Sequence, residues 1–518
     1  METRENAMEF GSLEREVCRE AITAECAVDH TLPDYMPEIR KLRRIDARPI
    51  PSGKYVGDRG TEFSGIVAYT VIYTDGEGAL SAVTVNGDYT LTAPADAGLP
   101  AASYADVEVD TTVCRLGGPR SLSLRSTLKA RAHTVSTTPL PTPDCEGCEI
   151  LRRPRPVRRT LLAESGEIAF YDAISVPGLL PDALQPLFSD GCFRPTECRA
   201  TVDAVTVVGF AELRIVAKDA SGRPMAFSSR IPIEREVALP GADSADIPLV
   251  CGYVTGLNVR ALGDGEGGSR LEVDGAVECR VRIAKNGEIA PILGCYSPIH
   301  RTEVTRERLI CEQVLGAVST SYTVSGSGPL AEESAASILD ATATASVRKV
   351  TEDGGHAVVL GDVKVGLLLT GIPAEEGSPI PCHSVEFSYP FRLVTEIAIP
   401  GGSDVAYDCR VDAVGVRARL EEGGYAADTE LRLLLSATAA SPVTLVSSVT
   451  SYPEETYPTR RGIVTVVYPE ADDNLFSIAE RYHTTPAALA AANAISLADG
   501  LAANDPALLD GISYLIVE

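Results

Sequence analysis

Cys145-Glu-Gly-Cys148 is the first place in this sequence where two side chains stand at a spacing that chemistry uses. Two cysteines separated by two residues can share a metal ion or cycle between thiol and disulfide. A redox pair wants a helix N-terminus to lower a thiol pKa, and a structural zinc site wants two further ligands. Here the pair lies in a proline-rich stretch with no strand–helix–strand context. Cys192 and Cys198 are available as partners, but five residues between two ligands is a loose spacing. The bland reading is a pair of incidental thiols, with Cys145 and Cys148 kept as metal candidates.

Other patterns lead away from catalysis. Gly263-Asp-Gly-Glu-Gly-Gly268 has the GxGxxG form, but it joins two strand patterns rather than a strand and a helix. Its acidic residues would repel a pyrophosphate, so it reads as a hairpin loop. No GxxxxGK[ST] loop is present. The histidines His30, His133, His300, His356, His383 and His483 show no HxH or HExxH spacing. No Gly-x-Ser-x-Gly elbow occurs, and Ser325-Gly-Ser-Gly328 reads as a flexible turn. The expectation is a protein that is not an enzyme and that uses no cofactor. Arg152, Arg153, Arg155, Arg158 and Arg159 form the one strong basic run. It could clasp an acidic partner, but a solvated linker drawn to the chain's own acidic surface is the simpler reading.

Bulk composition narrows the partners. The 72 acidic and 46 basic side chains leave a net charge of −26. Such a surface repels nucleic acid, whose binding requires Lys and Arg to replace counterions. It also disfavours anionic membranes and suits a partner with basic patches. The opening residues lack the apolar core of a signal peptide, so no secretory leader is expected, and no apolar run is long enough for a membrane-spanning helix, so no membrane insertion is expected. Thirteen cysteines, an odd number scattered over 518 residues, fit free and mostly buried thiols in a cytoplasmic setting.

The elements that would position these residues recur three times. Gly65-Ile-Val-Ala-Tyr-Thr-Val71, Gly209-Phe-Ala-Glu-Leu-Arg-Ile215 and Gly361-Asp-Val-Lys-Val-Gly-Leu367 each open on Gly and alternate apolar residues, at spacings of 144 and 152. Period two means a strand with one buried face. A strand ending in Pro-Gly follows, at Glu236–Asp243 and Glu396–Asp404, with a weaker form at Leu91–Asp96. Pro cannot donate to a ladder and Gly accepts positive φ, so each strand leaves its sheet there. A hairpin-like pair comes next, around Val254 and Leu271, around Val411 and Thr429, and around Val107 and Leu122. The fold class is therefore mainly β: three similar sandwich- or barrel-like repeats over residues 14–135, 161–296 and 309–450. A Pro/Arg-rich linker is expected over residues 136–160, and a small α+β module over residues 461–518.

In that last module, Ile463–Val467 reads as a strand and Asp472, Asp473 and Asn474 as helix caps. Leu475, Ile478, Ala479 and Tyr482 share one helix face. Thr485-Pro486 starts a second helix, and Ile512–Val517 is a closing strand, giving βααβ. The run Asp473-Asn-Leu-Phe-Ser-Ile-Ala-Glu-Arg-Tyr482, followed by Thr484, Thr485, Leu489 and Asn493, resembles a LysM domain. LysM domains hold N-acetylglucosamine chains on the loop before the first helix, where Gly-Asp-Thr is usual. Asp472-Asp473-Asn474 stands there instead. Asp473, Asn474, Phe476, Arg481 and Tyr514 are the candidate partner-binding residues. Exposed aromatics and Arg are the usual anchors of protein interfaces.

The repeats with their Pro-Gly strand ends, and the opening Leu32-Pro-Asp-Tyr-Met-Pro-Glu-Ile39, resemble the SPOCS domains of clostridial spore-coat assembly proteins. What the resemblance implies is a scaffold on the mother-cell side of the forespore. Its LysM module would bind the coat-morphogenesis ATPase alongside other spore-coat proteins. The alternative is a peptidoglycan- or GlcNAc-binding protein of wall or cortex.

Overall fold

The structure is a computed structural model, and it describes residues 11–57, 60–94, 102–177, 184–263, 268–329, 335–373, 375, 378–401, 404–422, 424–458, 464–470, 472–496 and 506–517. Alternating apolar residues make six strands in the first repeat: β1 (Ser12–Thr31), β2 (Lys41–Gly57), β3 (Gly60–Thr74), β4 (Leu80–Pro94), β5 (Ala102–Gly118) and β6 (Ser121–Pro139). They form two antiparallel sheets, ordered β1-β6-β5 and β2-β3-β4. The second repeat has β8 (Arg155–Val176), β9 (Gln185–Thr201), β10 (Ala204–Lys218), β11 (Pro224–Ala238), β12 (Leu249–Gly263) and β13 (Ser269–Ile289). The third has β15 (His300–Pro329), β16 (Ser337–Asp353), β17 (His356–Thr370), β18 (Cys382–Ala398), β19 (Val405–Glu421) and β20 (Gly424–Thr456). Their sheets, β8-β13-β12 with β9-β10-β11 and β15-β20-β19 with β16-β17-β18, repeat the same order. Each repeat closes a separate apolar core between its two sheets.

The glycine that opens each repeated strand has a steric reason. A Cβ on Gly65 would lie 2.5 Å from the Ile50 carbonyl and from the Tyr89 ring. On Gly209 it would meet the Arg194 carbonyl and Phe193, and on Gly361 the Ser346 carbonyl and Phe391. In the first and third repeats the ring sits directly across the ladder, Gly65 facing Tyr89 and Gly361 facing Phe391. An aromatic lies over the bare backbone and fills the missing side chain's place. Ser325–Gly328, expected as a turn, lies instead within β15. Gly326 seats Tyr389 and Gly328 seats Phe387, so these glycines make room for rings rather than bend the chain.

The three repeats close on one another. β4 lies against β9, β11 against β16, and β18 against β2. Arg48 donates to the Gly191 and Val254 carbonyls across the first seam. Arg214 donates to Asp340 (3.0 Å) and to the Ala341 carbonyl across the second. Across the third, Ser384 donates to the Arg43 carbonyl and Arg44 pairs with Asp340. Ile72, Val216 and Leu368, each seven residues after its repeat's glycine, meet in one apolar cluster with Phe188, Leu80 and Leu339. Strands of all three repeats line a cavity of about 1910 Å³.

The expected linker over residues 136–160 is largely ordered as strand. β6 runs to Pro139, β7 (Glu149–Arg152) follows, and β8 begins at Arg155. The arginine run is not simply a solvated tether. Arg158 is buried and bridges to Glu16, and Arg159 pairs with Glu14 at 3.1 Å. The cause is a buried ionic junction between the first sheets of the repeats. Glu16 also accepts from Tyr104 (2.9 Å) and pairs with the His133 ring (2.8 Å). Arg282 bridges to Asp408, and Asp106 holds both Arg280 and Arg410, the latter at 2.7 Å.

Burial alone would raise the Glu16 and Asp106 carboxyls, but His133, Arg158 and Arg282 around the first, and Arg280 and Arg410 around the second, hold both well below the usual range. Burial alone would lower His133, but its bonds to Cys18 and Glu16 and the Asp408 charge push it up to about 10. Depressed carboxyls add stability above their unfolded pKa values, which is lost as pH falls. The raised histidine adds stability below 6.5, its ordinary value, which is lost as pH rises through about 10. The melting temperature is thus expected to peak between roughly pH 5 and 6.5. A calorimetric pH series checks this, and a melting point still climbing from pH 7 to 9 would contradict it.

Candidate functional site

The C-terminal unit is built from β21 (Thr465–Val467), α1 (Leu475–Tyr482), α2 (Pro486–Ala492), a 3-10 turn (Pro506–Leu509) and β22 (Leu515–Val517). Asn474 caps α1: its side chain accepts from the Ser477 amide, and the Ser477 hydroxyl accepts from the Asn474 amide, both at 3.0 Å. Thr485 caps α2 through the Ala488 amide, with Pro486 in the first turn. Asn493 fastens the last strand. Its amide oxygen accepts from the Ile516 N–H (2.6 Å) while its NH2 donates to the carbonyls of Ile516 (2.7 Å) and Leu489 (2.8 Å). Asn493→Ala leaves these groups without partners and should cost about 2–3 kcal/mol. Faster amide exchange over Leu515–Val517 is the expected readout.

Leu475, Ile478 and Ala479 fill the core, with Tyr482 packed against it, as the periodicity predicts; Leu489, Leu515 and Val517 complete it. Phe476 does not face solvent. Its ring is buried, seated over Gly294 and edge-on to Tyr296 with centroids 5.0 Å apart. Tyr296 and Leu151 come from a two-stranded ladder, β7 with β14 (Ile292–Tyr296), that carries the unit on the second and third repeats. The Tyr296 hydroxyl donates to the Thr484 carbonyl at 2.8 Å, and Tyr457 stacks on His483 at 3.5 Å. Phe476 fell outside the α1 core stripe because it extends that same core onto the ladder, against Tyr296 and Leu151.

The other candidates divide. Asp473 is buried and bonded to Arg481 (2.5 Å), to the Glu470 amide (3.1 Å) and to Ser477. Burial would raise its carboxyl, but the Glu470 amide and Arg481 hold it low. Asn474 is committed to its cap. Arg481 is partly exposed but tied to Asp473. Tyr514 stands free at 54 % exposure. It is joined by residues that sequence reasoning did not single out: Val464, Val466 and Tyr468, all exposed. They share one face of β21, and the β21–β22 register carried one residue further sets Tyr468 opposite Tyr514. The signal was there: a strand apolar at consecutive positions cannot hide both faces in a two-stranded sheet.

Residues 470–505 are a LysM domain. The match begins just before α1 and spans both helices, while residues 471 and 497–505 within it lie outside the described ones. No curated protein and no solved structure matches this chain. Two helices packed on a two-stranded sheet agree with that assignment. Among the described residues, no helix is long and apolar enough to cross a membrane.

Remaining candidates fall elsewhere. Gly263 ends β12 and pairs with Ser269 of β13 in an antiparallel ladder, as a hairpin requires, with residues 264–267 outside those described. Cys145 and Cys148 are not joined by Cys192 or Cys198. Cys192 lines the central cavity and Cys198 packs on the second repeat's core, whereas Cys295 lies beside the pair. Glu16, His133 and Asp408 converge closely enough to suggest a metal site. The chemistry opposes it, because the imidazole is held protonated and Arg158 and Arg282 already neutralise the carboxylates.

Proposed function

We propose that this chain is a non-enzymatic scaffold of spore-envelope assembly whose LysM domain serves as a protein adaptor. The observation that carries the reading is the outward apolar face of Val464, Val466, Tyr468 and Tyr514, on a module otherwise seated on its own chain. Aromatic anchors on a rigid sheet are what protein interfaces use. The polar groups next to the sugar-holding loop argue the same way, since Asp473 and Asn474 spend their hydrogen bonds internally. The resemblance of the three repeats to SPOCS domains, read from the sequence, is what names the coat-morphogenesis ATPase as partner, at the mother-cell face of the forespore. A net charge of −26 favours a basic patch on that partner.

Deleting residues 461–518 is a poor test, because it would uncover Leu151 and Tyr296. Tyr468→Ala combined with Tyr514→Ala leaves the module's core intact. The pair is expected to weaken binding of the purified ATPase by about thirtyfold. Unchanged affinity would sink the adaptor reading. The second reading, a peptidoglycan or GlcNAc binder, rests on the LysM domain itself. Saturable heat on titrating soluble GlcNAc oligomers would favour it instead.

A further inference from the structure

The two edges of the β21–β22 sheet differ. In an antiparallel pair a residue turns its N–H and C=O together, either towards the partner strand or away from it, and the two directions alternate along the strand. Asn493 spends its side-chain amide on both backbone groups of Ile516, accepting from the N–H at 2.6 Å and donating to the C=O at 2.7 Å. Ile516 therefore faces away from β21, and the outer edge of β22 is closed. Val466 lies directly opposite Ile516. Its own N–H and C=O must then face away from β22. Among the described residues, β21 has no second strand beside it and Val466 no capping side chain.

The same alternation turns the backbone groups of Val464 and Tyr468 outward. It also sets the side chains of Val464, Val466 and Tyr468 on the exposed face. The open edge and the apolar face coincide on one strand. Proteins usually blunt such an edge with charge, proline or a bulge. Pro469 ends this one, but the residues before it that face outward are Val, Val and Tyr.

We propose that β21 is a strand-docking edge: the protein that binds the LysM domain adds an extended segment alongside Val464–Tyr468 and completes a three-stranded sheet. Main-chain bonds to Val466 set the register of the segment, and its alternate apolar side chains lie beside Val464, Val466 and Tyr468. Glu470 and Asp472, both exposed just past the strand, favour a basic residue at that end of the segment. This inference rests on the adaptor reading above and adds how the partner is held.

The test uses the full chain and the purified ATPase, followed by hydrogen exchange resolved to single amides. The Val466 amide should exchange freely in the unbound chain, and binding should slow it by about a hundredfold or more. That measurement needs no variant to fold. Val466→Pro removes the outward N–H without touching the ladder, which runs through Thr465 and Val467. It should weaken binding by about tenfold or more, with exchange of the Leu515 and Val517 amides unchanged. Val466→Thr keeps the N–H and should lose far less. Three results overturn the proposal: a Val466 amide left open in the complex, wild-type affinity in Val466→Pro, or protection in the unbound chain that rises with its concentration, which gives the edge to a second copy. If the tyrosine pair weakens binding while Val466 stays open, the adaptor reading stands and the docked strand falls. If neither the tyrosine pair nor the proline changes affinity, both fall.

Discussion

Glu16→Gln should be the most damaging single substitution at the junction of the repeats, costing about 3–5 kcal/mol. The Glu16 side chain is 3 % exposed and stands between Arg158, the protonated His133 and the Tyr104 hydroxyl. Glutamine keeps the shape and removes the charge. Arg158 and His133 would then be buried cations with too little to answer them. The full pair need not be worth that much relative to an apolar replacement, because desolvation offsets most of its attraction. The loss comes from breaking it on one side. Amide exchange should localise the damage to β1, β6 and β8, with the three cores less affected. A fall in melting temperature no larger than that of an exposed substitution such as Glu197→Gln would contradict the account.

Gly361→Val is expected to cost about 3 kcal/mol, the upper range for overpacking a filled site. A Cβ there would sit 2.2 Å from the Ser346 carbonyl and 2.4 Å from the Phe391 ring. The ring could turn aside, but the carbonyl belongs to the β16–β17 ladder and cannot move without breaking it. Gly401→Val, a site with open space around it, is the control. Denaturant midpoints of the two variants should separate clearly. Equal midpoints would mean that the repeated glycine has some other origin than close approach.

That glycine also shows what was legible in the sequence. Its recurrence at Gly65, Gly209 and Gly361 marks a position where backbone and ring meet, a local constraint that duplication preserves in each copy. The alternation after it gave the strands, and the capping residues Asn474 and Thr485 gave the two helices. What stayed hidden depends on residues distant in the chain. Arg158 looked like part of a basic tether because its carboxylate, Glu16, lies 142 residues away. Cys295 could not be attached to Cys145 and Cys148 before β14 was seen to pair with β7. Phe476 was placed outward because a single helix reports only its own core, not the ladder beneath it. Proline-rich composition suggested a linker over residues 136–160, yet short strands there are edge pieces, where missing N–H groups cost little.

The seams between repeats are head-to-tail, β4 to β9, β11 to β16 and β18 to β2, and the third returns to the first. Surfaces of that kind would grow into a filament if the rotation failed to close. Here each seat is taken within one molecule, so no second copy can add through these edges. A contact made through the LysM domain therefore adds to this closed wheel from outside it and leaves the three seams undisturbed.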